Sequence, residues 1–514
     1  MPNFKPDLSC QSAFIPVDFS EQIIPGTFEY ALNHIVNHHL DLRPFDSLYS
    51  NEHKGAAAYS PAVMLKIILF AYAHGMISSL RIAKACQTNI TLMALSGDTQ
   101  PHFTSIANFV ANMHTQIEPL FTQVLMICEQ QQLIGHHMFA IDGCKISSNA
   151  SKEHSGTHDE LARKAIRLRR ASQRILAHHI AQDVKGEELP AREAKHKQTL
   201  DDTAQRIEAF LDNDANHERL ATNKKPIKSN ITDNDSAKML TNKGTIQGYN
   251  GVAISDDKHQ IIVQAKAWGA VNEQQTLQPA IKQLQQQLSH IGKDDSLLQA
   301  KFSADSGFHS KDNLTYLAEQ GIDSYIADTG FRSRNPLFQN SQTYHAYQTT
   351  KRRKRGYDKP KLFSRGDFHF NRQALMCVCL AGNVMWLTSR KPHTNNDQRY
   401  LTFHGYLKDC RTCPVQSQCM RNPPKERGRQ VTFPALGKPT KAASLIQIMK
   451  DKMDSKQGRR EYSKRLGCIE PVFANITKQK KMDYFTLRGQ TKVNAQWLMF
   501  CLVHNIEKLR GHVL

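Results

Sequence analysis

Apolar positions recur at helical spacing through the first quarter of the chain. After Ser60 and Pro61, the residues Val63, Met64, Ile67, Ile68 and Ala71 share one helix face, with Pro61 suited to the first turn and Ser60 to the cap. The same period predicts helices over Ser79 to about Cys86, Ser105 to about Met113 and Ile117 to about Gln132, with turns at Gly75 and Gly97-Asp98. Residues 1 to about 58 are mixed, punctuated at Pro25-Gly26. Three short helices between turns make the skeleton of a helix-turn-helix, with Ser105–Met113 as the candidate recognition helix; a plain helical subdomain has the same pattern.

The period then shifts towards two. Met138 to Ile141 reads as a strand that delivers Asp142 onto a Gly143-Cys144 turn. A helical region follows: Leu161, Leu168 and Ile175 stand seven apart, and Leu200, Ala204, Ile207 and Leu211 repeat after a break near Gly186–Pro190. This predicts an antiparallel helical hairpin from about Asp159 to Asp214 with a mostly solvated charged face. Tyr249–Ile254 and Gln260–Lys266 flank a polar turn as a β-hairpin, and Leu277, Ile281, Leu284 and Leu288 mark a Gln-rich amphipathic helix. A strand over Leu298–Phe302 leads to Asp305 beside a glycine, then a helix over Lys311–Gln320 and a strand over Asp323–Ile326. The apolar helix Val493–Leu509, with Trp497, Leu498, Cys501, Leu502 and Ile506, should pack on the sheet.

Charge changes the picture. Among 514 residues, Lys and Arg outnumber Asp and Glu by 67 to 47, a net charge of +20 that points to a polyanionic partner. The run Lys351, Arg352, Arg353, Lys354, Arg355 and the group Arg459, Tyr462, Arg465, Lys478, Lys480 and Lys481 are the candidate DNA-binding residues. No stretch has the roughly 18 apolar residues of a membrane helix, and the start of the chain does not read as a signal peptide, so a cytoplasmic, nucleoid-associated protein is expected. The 11 cysteines suit a reducing compartment with one local cluster. Cys410, Cys413 and Cys419, with Cys379 or else Cys377, could hold a structural Zn²⁺; free or redox-active thiols are the alternative.

A second strand-end acid, Asp305, and a third acid in a cation-rich helical region, Glu470, echo Asp142. Pro471 disfavours helical backbone at Glu470, which places it where one helix ends and another begins. Three carboxylates at one sheet edge repel unless a divalent cation neutralises them, and oxygen ligands suit Mg²⁺ or Mn²⁺. Two such ions serve in-line displacement at a phosphodiester.

The pieces AIDGCKISSNAS, NITDNDSAKML with GYNGV, SADSGFHS with LAEQGIDSYIA, and YSKRLGCIEPVFANI with FTLRGQTKVNAQWLMFCLVHNIEKL resemble bacterial insertion-sequence transposases of the DDE class, over nearly the whole chain. The resemblance implies an α/β fold: an RNase H-like mixed-sheet core with a helical N-terminal domain, an inserted helical hairpin and a small cysteine-rich insert. It implies Asp142, Asp305 and Glu470 as catalytic, Mg²⁺-binding acids, with terminal inverted repeats and target DNA as double-stranded substrates. It implies cleavage followed by strand transfer, and a homodimer in the DNA complex. Tyr462, Arg465, Glu470 and Lys478 match the residue types of the family's Tyr-Arg-Glu-Lys signature, each of the last two gaps being one residue longer; Glu461 is the alternative acid.

The expected organisation is a helical DNA-binding domain over 1–132, a core from 133–150, 228–330 and 456–514, a hairpin insert over 151–227 and a basic, cysteine-rich insert over 331–455. A metal-dependent nuclease that cuts without joining, or a catalytically inactive DNA-binding relative, are the competing functions.

Overall fold

The computed structural model describes residues 18–49, 57–181, 189–216, 218, 220, 226–241, 244–269, 273–335, 362–371, 373–388, 393–395, 398–434 and 445–512. Contacts divide it into two compact units, one drawn from residues 1–309, 316–326 and 460–514 and the other from 310–315 and 327–459.

The first unit opens with α1 (Phe28–His38), α2 (Pro61–Ala73), α3 (Ser79–Thr88), α4 (Ile90–Ser96), α5 (Phe103–Asn112) and α6 (Ile117–Gln130). Four of these lie where the apolar period places them. α1 buries Phe28, Ala31, Leu32, Ile35 and Val36 at helical spacing, but its polar, histidine-rich outer face obscures the pattern. The short α4 is set by its ends: the Leu92 N–H donates to the Asn89 side chain at 2.9 Å, and Gly97 closes it at φ 60°. Ser60 precedes α2 without a side-chain cap bond. α2 is buried at every residue from Met64 to Tyr72, and even Lys66 reaches Asn33 with its ammonium.

The sheet begins with β1 (Met138–Ser147). β2 (Ser155–Gly156) and β3 (Ser229–Asn230) pair on either side of the hairpin formed by α7 (His158–Ala181) and α8 (Ala191–Leu211). Leu161, Ala165, Ile207 and Phe210 fill the hairpin's core, and Arg169 of α7 bonds Asp201 and Glu208 of α8. Then follow β4 (Ala237–Thr241), β5 (Gly244–Asp256), β6 (Ile262–Trp268), α9 (Leu277–His290), α10 (Ser296–Gln299), β7 (Lys301–Ala304), α11 (Lys311–Glu319) and β8 (Asp323–Ile326). The order is β4-β5-β1-β7-β8, with β6 also on β5. Antiparallel β6, β5 and β1 continue into parallel β7 and β8, the RNase H-like arrangement.

Two local expectations fail. β1 does not turn at Gly143-Cys144; long β5 pairs beside it from Phe139↔Asp256 to Ser147↔Gly248, so the ladder carries the strand onward. Leu298 is not in a strand: α10 occupies that stretch, closed by the Ala300 N–H on the Ser296 carbonyl, and β7 starts at Lys301.

The second unit contains α12 (Phe331–Arg334) and an antiparallel sheet of β9 (His369–Asn371), β10 (Met376–Val378), β11 (Val384–Leu387), β12 (His393–Asn395) and β13 (Gln398–His404). The short helices α13 (Leu407–Arg411) and α14 (Gln416–Cys419) precede β14 (Gln430–Pro434), which joins β13; α15 (Leu445–Asp454) follows. The basic run 351–355 lies outside the described residues.

α16 (Lys456–Ala474) runs unbroken through Pro471, so Glu470 sits within a helix and not between two. The carbonyl that Pro471 cannot serve, that of Gly467, accepts the Gln260 side-chain amide at 3.1 Å. The last helix, α17 (Gln490–Leu509), is buried throughout from Val493 to Ile506 and packs on β6, α2 and α6. The Trp497 indole N–H donates to the Val252 carbonyl at 3.0 Å, and the Asn505 amide exchanges two bonds with the Ile262 backbone. Each large apolar side chain so buried contributes roughly 1.5–3 kcal/mol.

Candidate active site

Register brings the first two acids together. β1 and β7 are parallel, with Ile141 paired to Ala304. Asp142 and Asp305 are the next residues on each, on strands spaced about 4.8 Å apart. β7 ends there, which frees Asp305 to turn: its Oδ1 accepts the Gly307 N–H at 2.8 Å. Asp142 Oδ1 accepts the Gly143 N–H at 2.8 Å, and its Oδ2 accepts from Arg465 Nη2 of α16 at 2.6 Å. Arg465 is almost wholly buried, so this ion pair is shielded from solvent.

The third acid, Glu470, is exposed on α16, and its charge acts on Asp142 together with that of Asp305. Burial is the main force raising the Asp142 pKa; Arg465 and the Gly143 N–H oppose it, and the two neighbouring acids add to it. Glu461, the alternative acid, is buried against Lys301 at 3.1 Å and Lys464 at 2.8 Å. Lys301 starts the strand that Asp305 follows, so Glu461 is anchored near its other end, on the order of 10 Å away.

A fourth carboxylate belongs to this group. Glu273 precedes α9, and its pKa is raised first by burial and then by Asp305, with Lys145 opposing and Asp142 adding. A β-carbon on Gly307 would fall 2.2 Å from Glu273 Oε2 and 2.9 Å from Asp305 Oδ1, so the two carboxylates close on one glycine. In the sequence, Glu273 reads as an ordinary acid near a helix start; only the fold puts it beside the others.

The basic residues divide. Lys478 and Lys481 are exposed. Tyr462 is half-buried on α16, and Arg459 donates to the Asn335 side chain at 3.2 Å. Lys480 is not a surface cation: it is fully buried and pairs with Glu507 Oε2 at 2.6 Å. Arg465 is turned inward to Asp142. Lys351, Arg352 and Arg353 fall outside the described residues. α5, the candidate recognition helix, buries Ile106, Phe109 and Val110 and leaves Thr104, Asn108 and Asn112 exposed.

In the second unit Cys379, Cys410, Cys413 and Cys419 line one small cavity, whereas Cys377 lies in the sheet core with its thiol 3.8 Å from Met385 Sδ. Among the described residues, no group of three or more His, Cys, Asp or Glu side chains is closed around a common point as a bound ion requires. The acid group nonetheless has the donor chemistry for a hard cation: carboxylate oxygens that crowd and repel one another, with a glycine where a side chain would intrude.

Residues 378–510 match the transposase DDE domain, and residues 17–112 match the transposase domain (DUF772). The first match takes in Glu470, Arg465 and the cysteine group; the second ends with α5. No curated protein matches the chain. Transposase domains are thus matched towards both ends of the chain, with an RNase H-like sheet between them.

Proposed function

We propose that the protein binds the terminal inverted repeats of an insertion sequence, cleaves the DNA there and joins the 3′ ends to a target. The observation that carries this reading is the β1–β7 register, which sets Asp142 level with Asp305 and within the field of Glu470. Mg²⁺ or Mn²⁺, held by Asp142, Asp305 and Glu470, would supply an activated water or 3′-hydroxyl and neutralise charge on the phosphodiester. The protein's own part is positional. Arg465 fixes the Asp142 carboxylate from α16, and exposed Lys478 and Lys481 offer charge to the phosphate backbone. The exposed polar face of α5 would read the repeat, and two copies would hold the two element ends in one complex. Among the described residues no helix is long and apolar enough to cross a membrane, consistent with action on cytoplasmic DNA.

The test is incubation of the full-length protein and Mg²⁺ with duplexes carrying the DNA that flanks its gene. Nicked ends followed by joined products are expected. Nicking without joining would leave a nuclease, and binding with neither would leave an inactive relative.

A further inference from the structure

We infer that the outer face of the second unit's sheet, centred on Trp386, is a stacking platform for unpaired DNA bases, with Arg427 at its edge for the adjoining phosphate. Strand alternation builds this face. Cys377, Met385, Leu401, Phe403, Val431 and Phe433 point inward and fill the unit's small core. Val384 and Trp386 of β11 therefore point outward. Val378 pairs with Val384 and Cys377 with Met385, which brings Met376 of β10 level with Trp386. Met376, Val384 and Trp386 are 40%, 51% and 42% exposed. Neighbouring apolar side chains left in solvent, on a sheet whose other face already holds a core, mark a contact surface.

The indole is backed for stacking. Trp386 pairs across the ladder with His404 of β13, and the two rings lie 5.0 Å apart at 22°. Burial, and then the charge of Arg427, lower the His404 pKa, so the supporting ring is uncharged near neutral pH. This support fixes the plane of the indole and leaves its outer side to solvent. A flat aromatic surface accepts any base, because every base has a π face.

Charge complementarity selects a nucleic acid as the occupant. Residues 401–434 hold six Lys and Arg against two Asp and Glu. Arg411 and Arg429 are spent inside the unit, donating to the carbonyls of Lys425 at 2.9 Å and Phe363 at 3.0 Å. Lys408, Lys425 and Arg427 are exposed, and the Arg427 charge reaches the ring beneath Trp386. An aromatic face with a cation at its edge matches a splayed base and the phosphate next to it, whereas a closed duplex keeps its base faces stacked on one another. The inference rests on the DNA reading above: cutting and joining strands at an element end exposes bases that were paired, and these are the ligand.

The experiment is titration of the full-length protein, without Mg²⁺, with an oligothymidylate of about 15 nucleotides, read by tryptophan fluorescence and by anisotropy of a labelled strand. The chain has three tryptophans. Trp497 is fully buried and Trp268 half-buried beside Lys266, so quenching on binding is expected from Trp386. Trp386→Phe should keep the affinity and lose the quenching. Trp386→Ala should weaken the single strand roughly 10-fold or more at unchanged melting temperature, and leave a blunt duplex bound as before. Arg427→Ala should flatten the dependence of log K on log salt by about 0.7 for the phosphate lost. No quenching in the wild-type protein, or equal losses on single strand and duplex in Trp386→Ala, would overturn the platform. So would a Trp386→Ala protein that sediments differently yet binds the oligonucleotide as before, which would make this face a contact between copies. Cleavage and joining without quenching would remove the platform and keep the proposed function; quenching without cleavage would do the reverse.

Discussion

The Gln260 side chain donates its amide to the Gly467 carbonyl at 3.1 Å, the acceptor that Pro471 leaves without a helical partner. Gln260 pays for this with a left-handed backbone, φ 60°, unusual for a residue with a side chain. Its own carbonyl faces His504 Nε2 at 2.9 Å, and its side-chain oxygen accepts from Lys508 at 2.9 Å. One residue at the end of the β5–β6 turn thus braces α16, which carries Glu470, against α17. Replacing Gln260 with Ala should cost about 1–3 kcal/mol through the unpaired carbonyl. DNA cleavage should fall further than DNA binding, since Glu470 shifts while the basic surface stays. Thermal melts beside cleavage and binding assays decide it; equal losses in both would show that α16 does not depend on this bond.

The same bond explains what the sequence could and could not disclose. Asp142 and Asp305 were legible because short apolar strands delivered each, and parallel pairing did the rest. Glu470 was legible as a residue, but not its place within a helix, because the donor that rescues Pro471 lies 207 positions away. Lys480 looked like its neighbours Lys478 and Lys481, since nothing local shows that it turns inward to pair with Glu507. Glu273 carried no signal at all beyond a helix-start acid. α1 and α4 were obscured by polar outer faces and short length, whereas α17 was plain because every side of it is buried.

Gly307 separates the Glu273 and Asp305 carboxylates so narrowly that a methyl group would displace one of them. Gly307→Ala and Glu273→Gln should both weaken Mn²⁺ binding, by roughly 10–100-fold as for other groups that orient metal ligands. Isothermal titration with Mn²⁺ reads this without turnover. The melting temperature of Glu273→Gln should change little, because the side chain is only half-buried and the amide keeps its size. Unchanged Mn²⁺ affinity in Glu273→Gln would remove it from the site.

The lysines should separate in a salt titration. Lys478→Ala and Lys481→Ala, both at exposed positions, should each flatten the dependence of log K on log salt by about one unit for every phosphate no longer neutralised. Lys480→Ala should leave that slope alone and instead destabilise the fold by about 1–3 kcal/mol, because Glu507 loses its buried cation and keeps only the Asn475 amide. A reduced slope in Lys480→Ala, with normal stability, would contradict the buried pair.

His504 makes the fold acid-sensitive. Burial pushes its pKa down to about 3, with Lys508 and Lys480 pressing the same way and the Gln260 carbonyl opposing; its Nδ1 accepts from Asn475, whose amide also reaches Glu507. The unfolded chain takes up a proton near pH 6.5 that the folded chain refuses, so stability falls as pH drops from about 6.5 towards 3. His504→Gln should be less stable at pH 8 yet lose less on acidification. Denaturant unfolding at several pH values measures both; a parallel acid loss in the variant would mean that other groups dominate.

Removing the N-terminal helices is a poor test of repeat recognition. Tyr72 of α2 stacks on Phe500 of α17 with ring centres 4.5 Å apart, and α6 packs along the same helix. Deleting residues 1–120 would therefore bare Phe500 and much of α17, and the truncated protein should aggregate before it reports on DNA. The exposed face of α5 can be changed without touching that core. Asn suits bidentate contact with adenine, worth about 1–3 kcal/mol of discrimination at one base pair. Asn108→Ala with Asn112→Ala should thus lower preference for the terminal repeat over random duplex by roughly 10-fold or more, at unchanged melting temperature and salt slope. If the double variant still chose its repeat as before, α5 would not be the reading helix, and alanine at the exposed Arg81 and Gln87 of α3, which packs beside it, would be the next to make.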